Sequence, residues 1–567
     1  MENEKNEILT PKQKIVKEDN LKNLNKDREI NLLFINPSSM PAREQEDFLN
    51  RTSILRLPDF SMPIGLLDLA AYLRKHVDSI NIKILDIGKD LYKIYLNRDT
   101  IPALSLDLFI ESELNSLDFK PNIVGVSILF SSSHNSSERI INQVKKRWND
   151  STIICGGNHA TNNVDNLLAN PNIDYVLRGE GEISFTESVR KFQKGEKINV
   201  LGIIGREKIN KNELSQVIEN LDEIPIPAYD LLDIEAYKKN VGGSIMFTRG
   251  CPFKCTFCSS HTVHGREVRY KSNKRILSEL QGLVKKYNFD KIIIEDDLFA
   301  INKQKFLELV DKIIEMNLKI KYFLPQGLSV AILNKEIIDA MIKMGIDEAS
   351  LAIESGSSYT QKNIIKKNVD LLKARFIIEY LREKGFRIYV NFILGFPGEK
   401  KELMQETIDF IKTIDVDWVF IFNAIPLRGS EMFQEFVERE IINPHNYDFD
   451  GVRLGRRTFD TPEISAEELE NLVYDTNIDC NYFNNSNLKH KRYERAIETF
   501  DKIIKLYPFH IVGLYCRALA FLGMGRNDEA EKDFKECVLW ISKNEESKRL
   551  FERYGNKMGC LKAYIEK

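Results

Sequence analysis

The chain is α/β in class: a doubly wound parallel sheet, then an open barrel of six strand-and-helix units, then a helical C-terminal region. Three patterns in the sequence predict this. Short apolar runs alternate with helix-length stretches from Ile30 to about residue 210. The alternation resumes at Gly243 and is counted six times before residue 464. From 465 onward the strand-like runs stop, and small and aromatic residues return at an offset of 34. Short strands separated by helices call for parallel pairing with both faces of the sheet covered.

Residues 1–29 are rich in Lys, Glu and Asn and hold no apolar segment, so they read as a charged, disordered tail and not as a signal peptide. In the first domain, 30–210, strands are expected at Ile30–Ile35, Ile82–Asp86, Ile123–Leu129, Thr152–Cys155 and Tyr175–Leu177. Helices are expected at Ile64–His76 and Ser136–Trp148. Ligands on such sheets bind at the carboxyl ends of the strands. Those ends carry Asn36-Pro37-Ser38, Ser131 to His134, Gly156 to His159 and Arg178 to Glu182. Glycine there lets a ligand approach the backbone. A connector, 211–242, includes Pro225 and Pro227, which favour extended chain.

In the second domain, 243–464, strands are expected to begin near Ser244, Lys291, Lys321, Glu348, Ile388 and Trp418. Helices such as Ser272–Tyr287 and Lys303–Met316 follow them. Six parallel units make a partial (β/α)6 barrel, whose site belongs at the strand carboxyl ends. Polar residues recur there: Glu295, Asp296 and Asp297, then Gln326, then Glu354, then the glycine-bearing turn at Gly395 to Glu399.

The C-terminal region, 465–567, repeats Ala496 and Phe500 as Ala530 and Phe534, and Ile503 as Cys537. This period resembles tetratricopeptide repeats. It implies either a groove for a protein partner or a helical cap; of the two, the cap is favoured, because two repeats must lean on a neighbour. Cys480, Cys516, Cys537 and Cys560 are widely spaced and read as core cysteines.

Composition bounds the function. A net charge of -3 over 567 residues supplies no general basic field for nucleic acid. No apolar run reaches the ~18 residues of a membrane span. Eight cysteines in so long a chain do not make a disulfide scaffold, which points to the reducing cytoplasm.

The chemistry is concentrated in Cys251, Cys255 and Cys258, spaced C-x3-C-x2-C beside Gly250 and Pro252. Three thiolates suit three irons of a [4Fe–4S] cluster and leave the fourth iron open, whereas electron-transfer clusters usually take four cysteines. Structural zinc, with His261 or His264 as a further ligand, is the competing reading. Buried free cysteine is the other, and three in eight residues is not a core pattern. With Phe257 directly before the last cysteine and a strand ending Phe247-Thr-Arg-Gly250, the run resembles the radical SAM superfamily.

That resemblance implies a [4Fe–4S] cluster, S-adenosylmethionine chelated at the open iron, and reductive cleavage to a 5'-deoxyadenosyl radical. It implies a one-electron reductant such as flavodoxin or ferredoxin, and a small-molecule or peptide substrate. Carried over by position, one of Glu295, Asp296 and Asp297 would hold the S-adenosylmethionine amino group. The family's Gly-Gly-Glu is not present as such, so the choice among the three stays open. Glu354 would meet the ribose, Gly395 would lie beside the adenine, and Gln326 would face the same mouth.

The first domain resembles the cobalamin-binding, Rossmann-like domain that precedes the radical core in one branch. The matching pieces are Met62 to Ala70, Ser127-Ile-Leu129, Gly156-Gly157 and Gly179-Glu-Gly-Glu182. Ser127, Leu129, Gly156 and Gly157 are its candidate cobalamin residues. The family's D-x-H-x-x-G is missing, since the loop from Asn36 to Asp47 holds no histidine. The implied activity is methyl transfer to an unactivated carbon or phosphorus. Rearrangement or oxidation without cobalamin is the alternative, and a metal-stabilised scaffold built on the helical repeats is the second.

Overall fold

The computed structural model describes residues 28–52, 58, 60–207, 212–451, 457–561 and 564. Most of the expected charged tail lies outside the described residues. The chain divides into two compact units. One runs to Glu219 and takes in 223–233; the other holds 220–222 and everything from Ile234. The barrel and the C-terminal helices therefore share one unit.

The first unit is a six-stranded sheet. Its strands are β1 (Ile30–Asn36), β2 (Ile80–Asp86), β3 (Ile123–Ser127), β4 (Thr152–Gly156), β5 (Tyr175–Leu177) and β6 (Ile203–Gly205), in the order β2-β1-β3-β4-β5-β6. The first five run parallel in a common doubly wound order, with the topological switch between β1 and β3. The edge strand β6 pairs antiparallel with β5, a departure from the all-parallel expectation. Residues of β1 alternate between two cores: Leu33 and Ile35 join one, while Leu32 and Phe34 join the other. Both faces are thus covered, which is why the strands read as continuous apolar runs.

The expected third strand, Ile123–Leu129, is shorter than its apolar run. It ends at Ser127, and Leu129 and Phe130 lie beyond it, 47% and 55% exposed. Apolar sequence alone does not separate a strand from an exposed apolar loop at its end.

The second unit begins with β7 (Gly243–Ile245), β8 (Thr248–Arg249), β9 (Arg269–Tyr270), β10 (Lys291–Ile294) and β11 (Lys321–Phe323). It continues with β12 (Glu348–Glu354), β13 (Arg387–Leu394) and β14 (Trp418–Asn423). Two parallel three-stranded sheets, β11-β10-β7 and β12-β13-β14, are joined where Leu328 bridges Leu351. There Leu328 N–H donates to the Ser350 carbonyl at 2.5 Å, and Ala352 N–H donates to the Leu328 carbonyl at 3.0 Å. Six strand units therefore follow one another in chain order without closing into a barrel. Side-chain caps start their helices: Ser272, Asn302, Asn334 and Asp370 each accept a backbone N–H of the first turn.

An open barrel leaves the outer edge of β14 with unpaired backbone groups. Asn481 covers it, its amide accepting from Val419 N–H at 2.8 Å and donating to Val419 C=O at 2.7 Å. Asn477 donates to the Ile421 carbonyl at 3.1 Å. Both lie on the helical segment that opens with Ala466–Ile478. Further helices at Tyr493–Leu506, Ile511–Gly523, Asn527–Lys543 and Glu545–Tyr554 follow. Their shared core includes Ala496, Phe500, Ala530, Phe534, Cys516 and Cys537. No helix among the described residues is long and apolar enough to cross a membrane.

Candidate active site

The three thiols lie on one loop clasped at its base. β8 and β9, the strands on either side of the loop, pair antiparallel, with Thr248 opposite Tyr270 and Arg249 opposite Arg269. Gly250 opens the loop at φ 97°, where a side-chain Cβ would come within 2.1 Å of the Glu267 carbonyl oxygen. Only glycine accommodates that approach. Cys251, Cys255 and Cys258 are free thiols, neither fully buried nor fully exposed. Ser260 N–H donates to the Cys258 sulfur at 3.4 Å. Burial pushes all three thiols up, Cys255 to about 11; neighbouring thiols add to it at Cys251 and Cys255, and Asp297 and Glu354 add to it at Cys258.

Among the described residues, no group of three or more His, Cys, Asp or Glu converges as a site for a metal ion, His261 and His264 included. A closed zinc site needs such convergence. In a cubic cluster each cysteine ligates its own iron, so three thiols on one loop with a vacant fourth position fit that group. Lys367, whose charge favours the thiolate at each of the three cysteines, also stands over the Phe257 ring at 5.8 Å.

The three acidic residues after β10 separate into different tasks. Asp296 is buried, and its carboxylate accepts from Phe247 N–H at 2.9 Å and Thr248 N–H at 2.6 Å, and from the Thr248 hydroxyl at 3.2 Å. It ties the end of β10 to the strand that feeds the cysteine loop. Burial pushes it up to about 7. Its oxygens are thus engaged by donors of the chain itself. Asp297 accepts from the Ser260 hydroxyl at 2.5 Å, beside the cysteines. Glu295 accepts from Ser244 at 2.9 Å and from Gln326 at 3.0 Å. Glu295 and Gln326, expected at one mouth from separate strands, are thus in direct contact.

Glu354 ends β12 with φ 72°, a strained conformation for a residue with a side chain. It accepts from Lys367 at 2.8 Å in a pair only 10% and 9% exposed. The turn after β13 packs against the C-terminal part of the same unit. A Cβ at Gly395 would meet Leu469 at 2.5 Å, so the missing side chain there makes room for the helix Ala466–Ile478. Arg457 donates to the Gly395 carbonyl at 3.0 Å. Glu399 is fully buried, accepts from Gly395 N–H at 2.8 Å and Phe396 N–H at 3.2 Å, and is pushed up to about 7 by burial.

In the first unit, Ser127 and Gly156 stand opposite each other in register at the strand ends. Gly157, at φ 102°, admits the Ile128 carbonyl, which a Cβ would meet at 2.6 Å. The absent side chain at this position makes room for the chain's own backbone. Leu129 and Phe130 present exposed apolar surface beside the topological switch. His159 is buried, its ring nitrogens within 3.1 Å of the Ser131 hydroxyl and 3.0 Å of both His134 and Asn163.

Sequence reasoning missed Ser244, Ser260, Lys367 and Arg457. Each acts on a residue distant in sequence, and no local motif marks them.

The Radical SAM superfamily model matches residues 245–411, and the B12 binding domain model matches 54–189. An uncharacterised methyltransferase of Pyrococcus horikoshii is 29% identical over 393 residues, 68% of this chain and 80% of its own. The cytidylyl-2-hydroxyethylphosphonate methyltransferase of Streptomyces wedmorensis is 26% identical over 463 residues, 73% of this chain and 83% of its own. Among solved structures, the cobalamin-dependent S-adenosylmethionine radical enzyme OxsB aligns over 100% of this chain and 87% of its own, with TM-score 0.62 and 16% identity. The radical S-adenosylmethionine methyltransferase TsrM from Kitasatospora setae aligns over 73% and 75%, with TM-score 0.55 and 14% identity. These two likenesses show the fold. With a B12 binding domain ahead of a radical SAM domain that holds its three cysteines on one clasped loop, the chain belongs to the radical SAM superfamily, in the branch that joins these two domains.

Proposed function

We propose that this protein is a cobalamin-dependent radical SAM methyltransferase acting on an unactivated carbon or phosphorus. The observation that carries the reading is the three-thiol loop tied through Ser260 to Asp297 at the strand end where Glu295, held by Ser244 and Gln326, offers a carboxylate. When bound, the cluster, S-adenosylmethionine and cobalamin supply the electron, the radical and the methyl group.

The chain's own residues bind and orient. Cys251, Cys255 and Cys258 hold the cluster. Glu295 attracts the ammonium of S-adenosylmethionine, an assignment favoured because Asp296 is consumed by backbone donors. Gln326 and Ser244 hold Glu295 in place, and Glu354, fixed by Lys367, serves the ribose. Gly395 lines the adenine side through its backbone, its Cα being covered by Leu469. In the first unit Ser127, Gly156 and Gly157 form the strand-end floor for cobalamin, with Leu129 as an apolar contact.

Methyl transfer is favoured by the names of the relatives, which include a hopanoid C-3 methylase of Methylococcus capsulatus, 28% identical over 325 residues. A flavodoxin or ferredoxin is the fitting electron donor. The C-terminal helices act as a cap, since Asn477 and Asn481 finish the open edge of β14. We place the protein in the cytoplasm, where thiols stay reduced.

The test is anaerobic reconstitution of the full chain with iron, sulfide, cobalamin and S-adenosylmethionine. The expected result is 5'-deoxyadenosine under reducing conditions, corrinoid absorption near one equivalent, and loss of 5'-deoxyadenosine in Cys255→Ala. Undiminished 5'-deoxyadenosine in Cys255→Ala would overturn the radical assignment. Reconstitution without bound corrinoid would overturn the cobalamin part alone.

A further inference from the structure

The concave face of the open barrel is aromatic below its mouth. Along β13, Ile388, Val390, Phe392 and Leu394 are fully buried, and Phe392 meets Phe410 of the helix Lys401–Lys412 ring to ring at 6.1 Å. That face belongs to the outer helices. The alternate residues Tyr389 and Asn391 therefore turn inward, where they are half-buried. On β14 the residue in register with Asn391 is Phe420, with Phe422 two places on. Phe420 is 40% exposed in the middle of a strand. The rings of Phe420 and Phe422 lie within 5° of parallel, centroids 6.2 Å apart, and Tyr389 is 6.3 Å from Phe420.

Arg387 pairs with Glu348 below this wall, and Glu354, level with Ile421 between the two phenylalanines, is neutralised by Lys367. On β12 and β13, at the level of Tyr389 and Phe420, stand the polar side chains Ser350 and Asn391. A chain leaves aromatic surface open in a concavity where a ligand covers it, and such sites combine apolar walls with a few polar anchors. Rings held parallel leave an outer π face, which suits another flat ring better than a branched aliphatic group.

We propose that this wall binds the substrate, and that the substrate places there an uncharged planar ring system oriented by a hydrogen bond to Asn391. The inference rests on reading the strand ends as the radical site. From the level of Glu354 the wall runs three residues, about 10 Å, down β13 to Tyr389. The atom to be modified would lie at the mouth while the ring anchors below it.

The experiment uses the full chain and N-phenyl-1-naphthylamine, a neutral planar fluorophore, so it requires neither cluster nor S-adenosylmethionine. Failure here is thereby distinguishable from failure of the radical assignment, which 5'-deoxyadenosine formation tests alone. The double variant Phe420→Leu with Phe422→Leu keeps apolar volume and loses the flat faces. It should weaken dye binding at least tenfold, and indole should displace the dye from the parent while 1-octanol does not. Trp418 lies two residues from Phe420 on the same strand, so Trp418→Phe should remove more than half of the tryptophan-to-dye energy transfer and leave the affinity unchanged. Binding within twofold of the parent in the leucine variant, displacement by octanol equal to that by indole, or undiminished energy transfer in Trp418→Phe would each overturn the proposal.

Discussion

Replacing Lys367 by methionine tests how the carboxylate at the end of β12 is held. The ammonium donates to Glu354 at 2.8 Å, and the two side chains are 9% and 10% exposed. At an effective dielectric of about 20 the gross attraction at this separation is about 6 kcal/mol, most of it offset by the desolvation of both ions. Removing one partner strands the other, and the expected loss is about 3–5 kcal/mol. Replacing both, Lys367→Met with Glu354→Gln, should recover a large part of that loss and give a coupling of about 2–3 kcal/mol. Tryptophans stand at 148, 418 and 540, so a Trp148→Phe background makes fluorescence report on the second unit during urea unfolding. A loss below about 1 kcal/mol in Lys367→Met, or a double variant no more stable than the single, would refute the buried-pair argument. The same substitution should make a reconstituted cluster harder to reduce, because it removes the cation nearest the three thiols in electrostatic terms; a redox titration followed by electron paramagnetic resonance reads this directly.

Four other outcomes follow from the same geometry. Gly250→Ala should prevent closure of the cysteine loop, since its Cβ would sit 2.1 Å from the Glu267 oxygen, and iron content after reconstitution should fall accordingly. Asn481→Leu should cost about 2–4 kcal/mol in urea unfolding, because it orphans both the N–H and the C=O of Val419. Asp296 and Glu399 are pushed up to about 7, so between the ordinary carboxylate range and pH 7 the folded chain keeps protons that the unfolded chain releases. Their stability contribution is complete below about pH 4 and lost as pH rises through about 7; Glu399→Gln should flatten its share of that slope in unfolding measured from pH 4 to 8. Glu295→Gln should weaken S-adenosylmethionine binding at least tenfold by equilibrium dialysis while leaving iron content unchanged.

The extent to which the site was legible follows from how local each signal is. The cysteine loop, Gly250 and the strand ends are written within a few residues of one another. Glu295, Asp296 and Asp297 are adjacent acids, and nothing in their order says which is consumed. Asp296 is, because Phe247 and Thr248 direct backbone N–H groups at it from 48 residues away or more. Gly395 and Gly157 likewise read as ligand-facing glycines, and the fold fills the space at one with Leu469 and at the other with a backbone carbonyl. The end of β3 was overrun for a different reason: an apolar run has no feature that distinguishes its last buried residue from exposed Leu129 and Phe130.

By itself the sequence determined the α/β class, the starts of the six barrel strands and the three thiols on one loop, because periodicity and ligand spacing are properties of neighbouring residues. Only the tertiary structure decided that Asp296 is engaged by backbone donors, how Lys367 secures Glu354, and that asparagines from the C-terminal helices finish the open edge of β14. These depend on side chains and backbone groups brought together across tens of residues, where burial sets the cost of leaving any donor, acceptor or charge without a partner.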